Sequence, residues 1–227
     1  MSAHFGLFST VAVERLDRGI DTPRRAGFYR NAGKRVLETL LVLLSLPFVI
    51  PLTLLLALPM MLRGEFPLYT QRRVGLGGRT FVMWKLRSMV VDADEQLAEY
   101  FRRNPSARDE WARHQKLRDD PRVTPYGRFL RKTSLDELPQ LWNVLKGDMA
   151  LIGPRPMMPH QRALYHSEAY YALRPGLSGY WQVSDRHGSE FVARVYYDEL
   201  YDRDVSLATD ILLILRSIGA VFRGTGV

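Results

Sequence analysis

Two adjacent carboxylates, Asp136 and Glu137, stand in the middle of the stretch Leu130-Arg131-Lys132-Thr133-Ser134-Leu135-Asp136-Glu137-Leu138-Pro139-Gln140-Leu141. A basic pair precedes them, and an apolar helical pattern of Leu138, Leu141, Trp142 and Leu145 follows, closing at Lys146-Gly147. Neighbouring acids repel, so a buried or half-buried pair requires a cation, a proton or a ring of donors. Ser134 and Glu137 have the spacing of a capping box, yet Pro139 would then fall at the fifth helical position and remove a backbone bond. A helix starting at Leu138 or Pro139 avoids that conflict. Either start puts the dyad at the positive end of a helix dipole, which stabilises carboxylates and attracts phosphate. The same residues also read as a well-capped surface helix with acids in its first turn.

Rival chemistries are sparse. The chain has no cysteine, which excludes disulfides, thiolate metal sites and thiol catalysis. Its five histidines, His4, His114, His160, His166 and His187, are scattered without ligand spacing, and no phosphate-cradling Gly-x-x-x-x-Gly-Lys loop occurs. The dyad is therefore the best catalytic candidate. A net charge of +8 points to an anionic partner: a phosphate-bearing substrate, nucleic acid or anionic lipid.

The elements that must position the dyad can be read around it. Residues 1–33 read as a flexible or surface-lying arm. Residues 39–62 are an uncharged apolar run of about 24 residues, long enough to cross a bilayer as a helix. Pro47 and Pro51 lie near its middle, where each removes a hydrogen bond that lipid cannot replace, and Ser45 can satisfy part of the exposed backbone. Lys34 and Arg35 precede the run, and Arg63, Arg72, Arg73, Arg79, Lys85 and Arg87 follow it, so both flanks carry the charge of a cytoplasmic face. A broken helix entering and leaving by one face fits this pattern; a spanning helix kinked at Pro47 is the other form open.

Downstream, residues 64–75 read as turn-rich and basic, and 80–89 as an extended segment ending in the basic side chains Lys85 and Arg87. Residues 91–117 read as a charged helical hairpin broken at Asn104-Pro105-Ser106, with Ser106 as cap and with Asp92, Asp94 and Glu95 as a solvated first turn. A loop at 119–125 leads into a short helix at 126–131. Residues 147–156 form a loop in which Pro154 and Pro156 hold Arg155 in extended geometry, a placement suited to bidentate phosphate binding or to a packing turn. Residues 159–171 read as helix. Residues 174–183 are turn-rich and aromatic, ahead of Ser184-Asp185-Arg186; Trp181 beside such basic residues reads either as a stacking surface for a base or as core. Residues 207–222 form an amphipathic tail, suited to the fold or to a membrane surface. The expected fold is mostly α with a few short strands: an arm (1–33), a membrane helix (34–63) and a compact catalytic domain (64–227) with amphipathic interfacial helices.

From about Lys34 onward the chain resembles the bacterial sugar transferase family, the monotopic polyprenyl-phosphate phosphoglycosyl transferases, in its small exopolysaccharide-type form. The resemblance rests on Lys34-Arg35, Gln71-Arg72 with Val74-Gly75, Lys85 with Met89, the block from Arg131 to Gln140, Asn143 to Met149, Gly153-Pro154-Arg155-Pro156 and Arg174-Pro175-Gly176. It implies that Asp136 is a nucleophile with Glu137 as its partner and Mg²⁺ at the dyad. Asp136 would attack the sugar-bearing phosphate of a UDP-sugar, release UMP, and pass the phosphosugar to undecaprenyl phosphate in a lipid bilayer. Arg131 and Arg155 can hold phosphate oxygens, with Lys85, Arg87 and Arg186 as further phosphate or nucleotide contacts. The resemblance also implies a re-entrant membrane helix hairpin broken at Pro47, a catalytic domain on the cytoplasmic face of the bacterial inner membrane, and no nucleic-acid partner. Homo-oligomer formation through the arm or tail fits as well. The chain departs from the family in having Ser45-Leu46-Pro47 where many members have Ser-Pro, and Asp185 where glycine is common. Outside this class, the same charge and apolar run suit a membrane-anchored, non-catalytic adaptor that binds anionic lipid or nucleic acid.

Overall fold

A computed structural model of the protein describes residues 27–115, 117–184 and 191–222. These residues are mostly helical with a few short strands. A π-helical turn, Tyr29–Gly33, leads into α1, Lys34–Met61. Helical backbone runs through all 28 residues of α1, Pro47, Pro51 and Pro59 included, so no non-helical residue separates two arms at Pro47. Ser45 Oγ donates to the Val42 carbonyl at 2.8 Å, whereas the carbonyl that Pro47 leaves without a partner is that of Leu43, four residues before the proline. The serine thus serves a different backbone group from the one its expected role required.

One stripe of α1 is buried. Glu38, Val42, Leu56, Ala57 and Met60 are buried on it, and Leu46 and Val49 are half-buried. Their spacing of three and four residues keeps them on one helical face. Val42, Leu46 and Val49 meet Met83, Leu141, Val144 and Met149. Leu56, Ala57 and Met60 meet Leu86 and Leu130. Polar anchors repeat the pattern. Lys34 Nζ bonds Glu38 and Asp210, and Arg35 donates to the Val144 and Leu145 carbonyls. Glu38 Oε1 accepts from the Leu151 and Ile152 amides, and near the other end Tyr126 donates to the Leu56 carbonyl at 2.8 Å. The opposite face is open and apolar; Leu44 is 73% exposed and Phe48 79%.

Next comes an antiparallel hairpin of β1, Leu68–Val74, and β2, Thr80–Leu86, turning through Gly77 and Gly78 at positive φ. The turn-rich reading of 64–75 missed β1, because the polar run Thr70-Gln71-Arg72-Arg73 replaces the apolar alternation that would mark a strand. The period of two sends Phe81, Met83 and Lys85 to one face. Asn143 secures that strand. Its Oδ1 accepts from Trp84 N at 3.1 Å, and its Nδ2 donates to Val82 O at 2.7 Å.

The charged hairpin follows as α2, Ala93–Arg103, and α3, Pro105–His114. Proline opens α3 at its first position, so Ser106 lies inside the helix and does not cap it. Thr124 caps α4, Pro125–Lys132, through Gly127 N. A Cβ on Gly127 would lie 1.9 Å from the Ser88 carbonyl, so only glycine lets α4 close on the end of the hairpin. Ser134 turns the chain with φ of 57° into a 3-10 turn, Leu135–Glu137, and makes no side-chain cap bond, which corrects the capping-box alternative. The regular helix α5 starts later, at Gln140–Lys146. Then β3, Ala150–Ile152, pairs in parallel with β4, Gly176–Ser178. Residues 159–171, expected as helix, form a 3-10 segment, Pro159–Leu164, and turns. The chain ends with α6, Tyr180–Ser184, α7, Arg194–Asp204, and α8, Leu207–Phe222. The last buries Leu213 and Asp210 and exposes Ile211, Leu212, Leu215 and Ile218.

Asn143→Asp keeps the shape of the clamp but replaces a donor to Val82 O with an acceptor. This substitution is expected to cost about 2 kcal/mol, the range for a buried group left unpaired. Thermal or denaturant unfolding in detergent checks it, with the wild type as reference.

Candidate active site

Lys85 leaves β2 on the face shared with Met83 and reaches the 3-10 turn that follows α4. Its Nζ lies 2.8 Å from Glu137 Oε1 and 3.5 Å from Asp136 Oδ2. Asp136 is only 4% exposed. Burial pushes its carboxyl up, Lys85 pulls it down, Glu137 pushes it up again, and Arg131 pulls it down. Arg131 is fixed by a 2.9 Å bond from Nε to Ser88 Oγ, and burial lowers its own proton affinity. The acids are therefore compensated by two side-chain cations. The helix dipole expected at this point contributes little, because α5 starts at Gln140, beyond Leu138 and Pro139, and is only seven residues long.

From Lys85 and Glu137 a cleft runs past Arg73, Met83, Gln140, Arg155, Pro156, Gly176, Leu177 and Gln182. Arg155 is carried on the loop after β3, tied down by Gly153 N to Ser178 O and Gly176 N to Pro154 O, both at 2.8 Å. A Cβ on Gly176 would meet Gly153 N at 2.1 Å, so glycine is required for this close crossing. The Arg155 guanidinium stands 5.6 Å over the Trp181 ring, and that of Arg194 stands 4.6 Å from the same ring. Arg73 donates to Pro156 O at 3.2 Å and to Gln71 Oε1 at 2.5 Å. Burial, followed by repulsion from Arg155, lowers Arg73 to about 10 and Arg194 to about 9. Asp198, which accepts from Tyr165 at 2.9 Å, is pushed by burial up to about 7.

Of the residues singled out in the sequence, Asp136, Glu137, Lys85, Arg131 and Arg155 are brought together here. Arg87 is not among the residues lining the cleft; its Nε donates to the exposed Phe66 carbonyl at 2.9 Å. Arg186 and Asp185 lie outside the described residues. Trp181 is buried beneath the two arginines, which makes it their support and not an open stacking surface for a base. Sequence reasoning missed Arg73, Gln140, Gln182 and Arg194. A signal for Arg73 existed in the alternation of Gln71 and Arg73 along an unrecognised strand; Gln140 closes the block that carries the family resemblance but its neutral amide suggested no contact, and no signal marked Gln182.

The dyad offers two hard carboxylate donors, the set that Mg²⁺ takes together with substrate phosphate oxygens. Among the described residues no cluster of three or more acids or histidines accompanies them. The donor chemistry fits an ion whose shell is completed by substrate, with Lys85 holding the cationic place between the acids.

Folded Asp198 keeps its proton up to about pH 7, whereas an unfolded aspartate loses it near pH 4, as expected for an ordinary carboxyl. Folding therefore takes up a proton between those values, and this group's contribution to stability falls as pH rises through the window. Asp198→Asn is expected to flatten the decline of the unfolding midpoint between about pH 4 and 7, read by thermal melts across that range.

A family profile described as bacterial sugar transferase matches residues 29–224. The chain is 42% identical over 195 residues to the UDP-galactose-lipid carrier transferase of Erwinia amylovora, covering 85% of this chain and 41% of that protein. It is 41% identical over 210 residues to the exopolysaccharide production protein ExoY of Sinorhizobium fredii, covering 90% of this chain and 93% of the relative. It is also 41% identical over 195 residues to the undecaprenyl-phosphate galactose phosphotransferase of Salmonella typhimurium, again with 85% and 41% coverage. The chain thus spans about two fifths of the Erwinia and Salmonella proteins and nearly the whole of ExoY.

Proposed function

We propose that this chain, which belongs to the bacterial sugar transferase family, moves a sugar 1-phosphate from a UDP-sugar to undecaprenyl phosphate as the first membrane step of exopolysaccharide or related glycan assembly. The observation that carries this reading is the buried Asp136, held between Lys85 and Arg131 beside an arginine-lined cleft. An Asp136 oxygen forms a bond to the sugar-bearing phosphorus while the bond to the bridging oxygen breaks, and that electron pair leaves with UMP. An oxygen of undecaprenyl phosphate then attacks the same phosphorus, and the aspartyl bond breaks. No proton has to move in either displacement, which suits a site built from carboxylates and fixed cations. Asp136 and Glu137 would hold Mg²⁺, which supplies neutralisation of the donor's diphosphate when bound. Lys85 keeps Glu137 and Asp136 from repelling each other, and Arg131 faces Asp136 as charge builds on phosphate.

The acceptor must reach this carboxylate from a bilayer. An α-helix of 28 residues is about 42 Å long, more than the roughly 30 Å hydrocarbon thickness. Yet contacts near both ends of α1, at Lys34 to Glu38 and at Leu56 to Met60, belong to the same charged domain. This supports monotopic attachment by a re-entrant path, with both ends on the cytoplasmic side and the open apolar face in lipid.

Purified protein with Mg²⁺, undecaprenyl phosphate and a panel of UDP-sugars is expected to release UMP, and Asp136→Asn to lower release on the order of a thousandfold or more. Full turnover in that variant would remove Asp136 as nucleophile. Because the chain lacks cysteine, single cysteines at Asn31 and Glu65 report topology cleanly. Both are expected to react with an impermeant reagent from the cytoplasmic side of oriented vesicles; labelling from opposite sides would rule out the re-entrant path.

A further inference from the structure

Gln140 and Gln182 are 2% and 7% exposed, and the Nε2 of each lacks an acceptor among the described residues. The buried Nε of Arg73 lacks one too. All three residues line the cleft that Arg155 also lines. A buried donor left unpaired costs about 1–3 kcal/mol, so three around one cleft call for a shared acceptor. Charge makes the same demand. Arg73 and Arg155 repel each other, and Arg194 adds a third guanidinium behind them. The acids within reach are engaged: Lys85 bonds Glu137, and Tyr165 bonds Asp198. A cleft presenting donors on several sides and net positive charge suits a compact group that has several acceptor oxygens and no donor, which describes a phosphate monoester.

We propose that Arg73, Gln140 and Gln182, with Arg155, bind the nucleotide-side phosphate of the donor, the one that departs as UMP. This rests on the reading of Asp136 as the attacking group. The two phosphates of a sugar nucleotide are joined through one oxygen, and the cleft starts at Lys85 and Glu137, next to Asp136. When the bridging bond breaks, the electron pair stays on the nucleotide-side phosphate, and its new charge falls among the Arg73 and Arg155 guanidiniums and the two amide N–H groups. Arg194 and Trp181 act as positioning residues, since Trp181 carries Arg155 on its ring and Arg194 packs on the same ring.

The test compares UMP and uridine binding to the full-length protein in detergent by calorimetry, for the wild type, Gln182→Glu and Gln140→Leu, with melting curves to confirm folding. Gln182→Glu keeps the side chain's shape and sets an acceptor against phosphate; Gln140→Leu removes a donor without adding charge. Each is expected to weaken UMP binding by about tenfold or more while uridine binding stays unchanged. The uridine comparison separates loss of a phosphate contact from general damage, and either variant suffices if the other does not fold. Unchanged UMP affinity in a folded variant overturns the assignment, as does equal weakening of UMP and uridine. Failure of the wild type to release UMP from any UDP-sugar would overturn the transferase reading itself, whereas normal release with unaltered variants overturns only the phosphate pocket.

Discussion

Two carboxylates next to each other in the chain, one of them almost wholly buried, cannot both stay charged without a cation at hand. Lys85 meets that requirement, 2.8 Å from Glu137 and 3.5 Å from Asp136. Much of the nearby architecture keeps the lysine there. The strand period brings Lys85 round to the face of Phe81 and Met83, and those two pack against the cluster of Leu141 and Val144 on the helix that follows the dyad. Asn143 bonds the strand backbone on either side of Met83, so strand and helix are locked in register. A shift of one residue along β2 would turn Lys85 away from the acids altogether.

The apolar helix contributes to the same arrangement. Its buried stripe packs beneath β2 through Val42 and beneath α4 through Leu56 and Ala57. Arg35 covers the Val144 and Leu145 carbonyls of α5, and Glu38 fixes the Leu151 and Ile152 amides of β3. The open apolar face and the geometry around the dyad therefore share one element. Its outer face remains open because the inner face has found specific partners, including hydrogen bonds that an apolar pattern does not announce.

Arginines on the far side of the cleft obey a different logic. Arg73, Arg155 and Arg194 come from a strand, a proline-held loop and a helix, and their mutual repulsion is tolerated because Arg155 and Arg194 stand on the Trp181 ring, Asp198 acts on Arg194, and Arg73 is tied to Pro156 and Gln71. Such a cluster is stable enough to fold yet still has donors to offer, a condition in which an incoming anion gains affinity without reorganising the site.

What the sequence determined by itself is local chemistry and periodicity. The Asp136-Glu137 pair, the uncharged run, the short helix carrying Arg131, the rigid Arg155 loop and the amphipathic tail are all legible, because each is a property of consecutive residues or of a helical repeat. The strand Leu68–Val74 was not legible, since the polar run Thr70-Gln71-Arg72-Arg73 replaces the apolar alternation that marks a strand, and with it the inward aim of Arg73 was lost. Neither were Gln140 and Gln182, whose neutral amides gain meaning only when buried against the same cleft. The form of the apolar helix also stayed open, because hydropathy reports what a side chain tolerates and not which neighbour it meets. Only the tertiary structure decided that Lys85 compensates the dyad, that contacts near both ends of α1 lie on one domain, and that three distant donors converge, since each depends on approach between segments far apart in the chain.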